Sequence, residues 1–257
     1  VRIDVGTLVH ELNHALQDQH YNLSSDQFQG VVQDQQLGQQ GLIEGDSEYV
    51  RMKYESRCDF EWECLLSAGT PGPDGEFQDV NLGLWGVLYH PYSDGPAYVA
   101  GIVDRYGWET VNHLYFSPPS TSRELIHQEL YYDSVISFTD TSTDEWERYR
   151  EFGHDGAYSV GEASVFMMFW YQTVEYGAEV VDPQEFYSDP NPYSSYDYRS
   201  EMSSGLVDDR VVPYRNVGLG ESGYVWVLEW ESEDDVTEFA WDYFRILHAH
   251  DATVHGA

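Results

Sequence analysis

The sequence predicts an α+β, helix-rich fold with a small antiparallel sheet late in the chain. Three observations predict it. Apolar residues recur at helical spacing near both ends of the chain and at its middle. One segment, YVWVLEW at 224–230, carries the β-branched and aromatic enrichment of a strand. Stretches rich in Gly, Pro and Ser punctuate the rest.

In DVGTLVHELNHALQDQH the apolar positions 5, 8, 9, 12, 15 and 16 form a helical stripe, with Asp4 placed as its N-cap. On this reading the stripe faces the protein and turns the histidines of the opposite face toward a cleft. The polar SSDQFQG ends the helix, and a second one runs from about Asp34 to Arg57. GTPGPDG, 69–75, reads as a loop. Short helices follow at 96–106 and 107–116, broken by Gly107, and Pro118-Pro119 opens a linker. Residues 160–176 read as a buried helix, and 183–205, rich in Pro, Tyr, Ser and Asp, as a long surface excursion. Residues 206–212 are the expected partner of the 224–230 strand. Ser232 and the acidic EDD cap a last helix ending near His248. The chain is read as one domain over 1–257, with a metal-site helical half at 1–117 and a C-terminal half at 118–257.

Charge decides which partners are excluded. Lys+Arg number 12 against 46 Asp+Glu, a formal net charge of -34, and Lys53 is the only lysine. Such a surface repels phosphate backbones and anionic headgroups, so nucleic acid is not a partner. Short carboxylates in place of lysine stems suit molar salt, which screens their mutual repulsion, and predict a halophile. An acidic calcium-loaded protein would show a D-x-[DN]-x-[DN]-G loop, which is missing. No run of 18 apolar residues occurs. The opening at Val1 in helical sequence, without Met, reads as a processed or trimmed piece. Cys58 and Cys64 form an isolated close pair; on an unbroken helix they would face apart, so a disulfide needs a turn between them, and that pairing predicts export.

The chemistry concentrates in His10-Glu11-Leu12-Asn13-His14, an H-E-x-x-H on a predicted helix. The i, i+4 spacing puts both imidazoles on one face, where each can offer a nitrogen to one zinc ion. Glu11, rotated by about 100°, reaches a water held there rather than the ion. A third ligand is needed. In GLIEGDSEY, Glu44 and Glu48 lie one turn apart, which fits a ligating carboxylate at 44 and an acceptor at 48 that holds a ligating histidine by its other N–H. Asp46, Glu48 and Glu162 are rival ligands. Candidate donors to a developing oxyanion are His127, Tyr131, His154 and Tyr158, with His127 leading. His248, His250 and His255 read as a polar tail.

VHELNHALQDQHYNL followed by GLIEGDSEYV resembles the gluzincin-type metallopeptidases, in particular a family of haloarchaeal surface proteins and their bacterial relatives. The likeness continues through HPYSDGPAYVAGIVDRYGWETVNHLYFSPPSTSRELIH, VGEASVFMMFW and YVWVLEWESEDDVTEFAWDYF, covering His10 to about Phe244. It implies a zincin-like fold with the active-site helix at the start of this chain, zinc on His10, His14 and Glu44, and Glu11 as general base. It implies a peptide or protein substrate, export to the cell surface, and membrane anchoring in relatives through a segment upstream of the helix. Relatives continue His127 as His-Pro, whereas here Gln128 follows. Only nine residues precede His10, so the upstream part of the fold is expected from a partner chain, or the protein is a catalytically weak zincin-fold structural or adhesion protein. A plain acidic helical binding module is the third reading.

Overall fold

A computed structural model describes residues 4–30, 32–64, 80–128, 141–150, 156–188 and 191–253. The order of its elements is α1 (Val5–Tyr21), α2 (Gln33–Phe60), α3 (Leu82–Tyr106), α4 (Trp108–Leu114), α5 (Ser122–His127), β1 (Glu147–Arg148), α6 (Gly161–Tyr176), β2 (Leu206–Asn216), β3 (Glu221–Trp230) and α7 (Glu233–Ala249). The chain is thus α+β and helix-rich, with a three-stranded antiparallel sheet ordered β1-β2-β3. Its β2–β3 hairpin pairs Val211 with Trp226 and Val212 with Val225. The predicted 69–75 loop lies outside the described residues.

The molecule has two main apolar cores. One joins α2, α3, α4 and α5 around Leu42, Tyr49, Ile102, Tyr115 and Leu125. The other joins α6 and α7 to the sheet around Phe166, Phe169, Tyr198 and Phe239. Helices α2 and α3 meet so closely that a Cβ on Gly45 would overlap the backbone of Gly95. Two glycines facing each other let the backbones touch, and this contact fixes how α2 stands against α3.

Four expectations are corrected. Helix α3 starts at Leu82 and runs through Pro91 and Pro96, instead of starting at 96. The added turns are held by the Asn81 cap, which accepts from the Leu84 amide at 2.9 Å, by Val87 buried in the second core, and by the Tyr198 hydroxyl, which donates to the Gly86 carbonyl, 2.7 Å, in the turn before Pro91. Segment 183–205 is not a surface excursion, because Phe186, Tyr198 and Met202 are buried in the second core. Pro118-Pro119 leads within three residues into α5, whose Thr121 accepts from the Glu124 amide at 3.4 Å. The α1 stripe faces solvent: Leu8, Leu12 and Leu16 are 42, 55 and 54% exposed. The polar face of α1 packs on α2 instead, where its imidazoles and amides find partners.

Cys58 and Cys64 are bonded, with their Cα atoms 5.4 Å apart. Helix α2 ends at Phe60, and the chain turns before Cys64, which brings two positions of opposite helical phase together. No helix of the described residues is long and apolar enough to cross a membrane.

Candidate metal centre

Helix α1 is capped by Asp4, whose carboxylate accepts from the Gly6 amide at 3.1 Å. One turn separates His10 from His14, and both face α2. There Glu44 and Glu48 stand one turn apart in the same way. The result is a convergence. His10 Nε2 and His14 Nε2 are 2.9 Å apart, and Glu44 Oε2 lies 3.2 and 3.1 Å from them. Among the described residues this is the group of three His, Cys, Asp or Glu that could hold a metal ion. Ligand atoms so spaced can all touch one ion at roughly 2.0–2.2 Å.

The surrounding hydrogen bonds select the tautomers such a site needs. His10 Nδ1–H donates to Glu48 Oε2 at 3.3 Å, leaving the Nε2 lone pair facing Glu44. Glu48 is in turn gripped by Arg51, whose Nε–H donates at 2.8 Å. His14 Nδ1–H donates to Gln17 Oε1 at 2.8 Å. The buried Gln17 amide is fixed by donating to the Ile43 carbonyl, 3.0 Å, and to Asp46, 3.1 Å. Asp46 also accepts from the Tyr115 hydroxyl at 2.7 Å. Of the rival ligands, then, Glu48 and Asp46 orient the histidines, one directly and one through Gln17.

Without an ion the cluster behaves as a cation–carboxylate network. Hydrogen bonds to Glu44 and then Glu48 raise His10 to about 9, against an opposing effect of burial. Burial alone would raise Glu44, but the bonds from His10 and His14 outweigh it and hold the carboxyl at about 2. With both imidazoles protonated, each Nε2–H donates to Glu44 Oε2, but two cationic rings then meet with their Nε2 atoms 2.9 Å apart, a repulsion that a single shared cation replaces.

Glu44 also lines a cleft of about 660 Å³ between α2 and α3, with Leu37, Val87, Leu88 and Tyr92 among its walls. Tyr92 was not singled out from the sequence, although it lies in the HPYSDGPAY stretch. Its ring is near-parallel to that of His10 with centroids 6.4 Å apart, and its hydroxyl is pushed up to about 12 by burial, then by Glu44, with Glu11 and Glu48 adding. Glu11 is exposed on the solvent side of α1, within electrostatic reach of that hydroxyl.

The remaining candidates are dispersed. His127, at the end of α5, is bound by Glu162, with Nε2 2.9 and 3.1 Å from its two oxygens, and is not among the residues lining the cleft. Glu162 is therefore occupied away from the metal group. Tyr158 lines the cleft near the start of α2, where the Asp34 amide donates to the Ser159 carbonyl at 3.3 Å, and bridges to Val211 of β2. Tyr131, His154 and His255 lie outside the described residues. His250 contacts Gln172 at 2.6 Å, and His248 closes α7.

A family model for a domain of unknown function, DUF8575, matches residues 147–257. The match spans β1, α6, β2, β3 and α7 and leaves out α1 and α2, which carry the metal group. No curated protein and no solved structure matches the chain.

Proposed function

We propose that the protein is a zinc-dependent metallopeptidase of the gluzincin type, exported by a halophilic organism. One observation carries the reading: the H-E-x-x-H histidines and Glu44 bring three ligand atoms within 3.2 Å of one another, with both imidazoles oriented by further partners, Glu48 and Gln17. The donor set fits zinc, since two neutral imidazoles and one carboxylate are the ligands of many hydrolytic sites and leave a position open. When bound, zinc supplies a Lewis acid that polarises a carbonyl and makes water acidic near neutral pH.

The residues of the chain do the rest. Glu48 and Gln17 hold the imidazoles in the ligating tautomer. Glu11, one position on from His10 and exposed, takes the water proton and returns it to the leaving amine. The Tyr92 hydroxyl stays protonated through the neutral range and stands at the cleft wall beside Glu44, where it can donate to a developing oxyanion. His127, engaged by Glu162, is left out of this scheme.

The test is hydrolysis of casein in molar KCl. The expected activity is abolished by a chelator, restored by zinc, and absent in Glu11→Gln. A stable, zinc-loaded protein that cleaves nothing would turn the reading toward the structural or adhesion alternative.

A further inference from the structure

A second cavity, of about 320 Å³, lies between α6 and the sheet. Four aromatic residues, Tyr158, Tyr224, Trp226 and Tyr243, help to wall it, with Met168 and Val211. Two features set it apart. Every lining residue is uncharged, in a chain with 46 acids, and the acid behind the wall, Asp209, is occupied by the Trp226 indole at 2.7 Å. All of them also fall within 147–257, so the matched domain builds this cavity without help from the metal-bearing helices.

The cavity is not isolated from the metal group. Tyr158 is a wall both of it and of the cleft that ends at Glu44. The cleft is uncharged too apart from Glu44, with Gln33, Gln36 and Gln40 along α2 offering amide donors and acceptors, and Leu84 and Leu88 opposite them. An extended chain lying in it finds polar partners on one side, apolar contacts on the other, and the aromatic cavity at its end.

We infer that residues 147–257 supply a subsite for an aromatic side chain of a polypeptide whose scissile bond lies at the metal group, with Tyr158 as the wall the two cavities share. The inference rests on the peptidase reading for the scissile bond, but the subsite itself does not. Aromatic rings and a thioether favour an aromatic occupant through edge and face contacts. A charged side chain would lose its hydration without finding a partner. Tyr224 forms the rim: it is 60% exposed, and its hydroxyl meets that of Tyr243 at 3.0 Å. Binding through a remote subsite makes affinity depend on substrate length.

The experiment uses the zinc-loaded Glu11→Gln protein in molar KCl, with N-acetyl-4-fluorophenylalaninamide as probe, followed by fluorine NMR. Binding is expected, with N-acetylaspartamide failing to compete, and Tyr224→Ala should weaken it about fivefold. Circular dichroism and zinc content should not change, because Tyr224 is exposed and far from α1 in the chain. In the parent background, Tyr224→Ala should raise KM about fivefold for a phenylalanine-containing polypeptide, leave kcat unchanged, and leave a tripeptide unaffected. Absence of probe binding, or equal binding in Tyr224→Ala, would overturn the inference. Hydrolysis with no dependence on length or on Tyr224 would overturn it while the peptidase reading stands. Tyr224-dependent probe binding without any hydrolysis would uphold the subsite and sink the peptidase reading.

Discussion

His10 sits between two carboxylates, and that position sets how the site responds to pH. In the metal-free protein its pKa of about 9 means that it carries a proton at neutrality, and His14 is raised as well, because burial, which lowers it, is outweighed by Glu44 and Gln17 together. An ion must displace those protons. Zinc affinity should therefore rise with pH up to about 9, by about tenfold per pH unit for each displaced proton, and level off above. Titration of zinc against a competing chelator at pH 6, 7 and 8 measures this; an affinity independent of pH would mean that His10 is not a ligand. Glu11 behaves differently, because it has no part in holding the ion. Glu11→Gln should retain the parent's zinc content and lose hydrolysis by about a thousandfold or more, since an amide cannot accept the proton. Turnover at the parent rate would remove Glu11 from the mechanism.

Much of the site was legible at this scale. The spacing 10–14 and the turn between 44 and 48 describe two helical faces, and helical faces follow from spacing alone. Gln17 and Tyr92 were not legible. Glutamine and tyrosine are common in this chain, and their roles depend on which helix crosses which. The partner of His127 was not legible for the same reason: a conspicuous motif says nothing of a buried Glu162 placed opposite it by tertiary packing.

Among the elements, α6 shows how a buried helix is anchored. Asp209 of β2 accepts from the amides of Val160 and Gly161, 3.0 and 2.9 Å, from the Ser159 hydroxyl, 3.0 Å, and from the Trp226 indole, 2.7 Å. One carboxylate thus caps α6 and pins it to both long strands. Asp209→Ala orphans four donors at once and should cost about 3 kcal/mol, read by denaturant unfolding in molar KCl. A loss under about 0.5 kcal/mol would show that water replaces the carboxylate. The strands and this helix were legible from composition, but the cap was not, since nothing local marks one acid among 46. Helix α1 illustrates the reverse error. Its apolar stripe is the ordinary sign of a core-facing side, yet the buried face is the polar one, which is satisfied there by hydrogen bonds to α2. Pro91 and Pro96 hid the first half of α3 similarly, since proline is a local breaker, whereas here the helix around both prolines is buried and held by tertiary contacts.

For the whole molecule, charge dominates. A net -34 on a compact body is self-repulsive, and the folded state concentrates that charge more than the unfolded chain. Salt should stabilise the fold, with the melting temperature rising steeply between about 0.1 M and about 2 M KCl at fixed zinc. A flat series would defeat the halophile reading. Composition alone makes this prediction, and the structure adds two surfaces lined by uncharged side chains: the cleft apart from Glu44, and the aromatic cavity that shares Tyr158 with it.

The central claim is that His10, His14 and Glu44 together hold one zinc ion, and metal content tests it most directly. Parent protein and the variants His10→Ala, His14→Ala and Glu44→Ala are loaded with zinc, dialysed in molar KCl and assayed for metal per chain, with folding checked by circular dichroism. One zinc per parent chain is predicted, and its loss from each folded variant. A parent that retains no zinc, or folded variants that retain it as the parent does, would contradict the account.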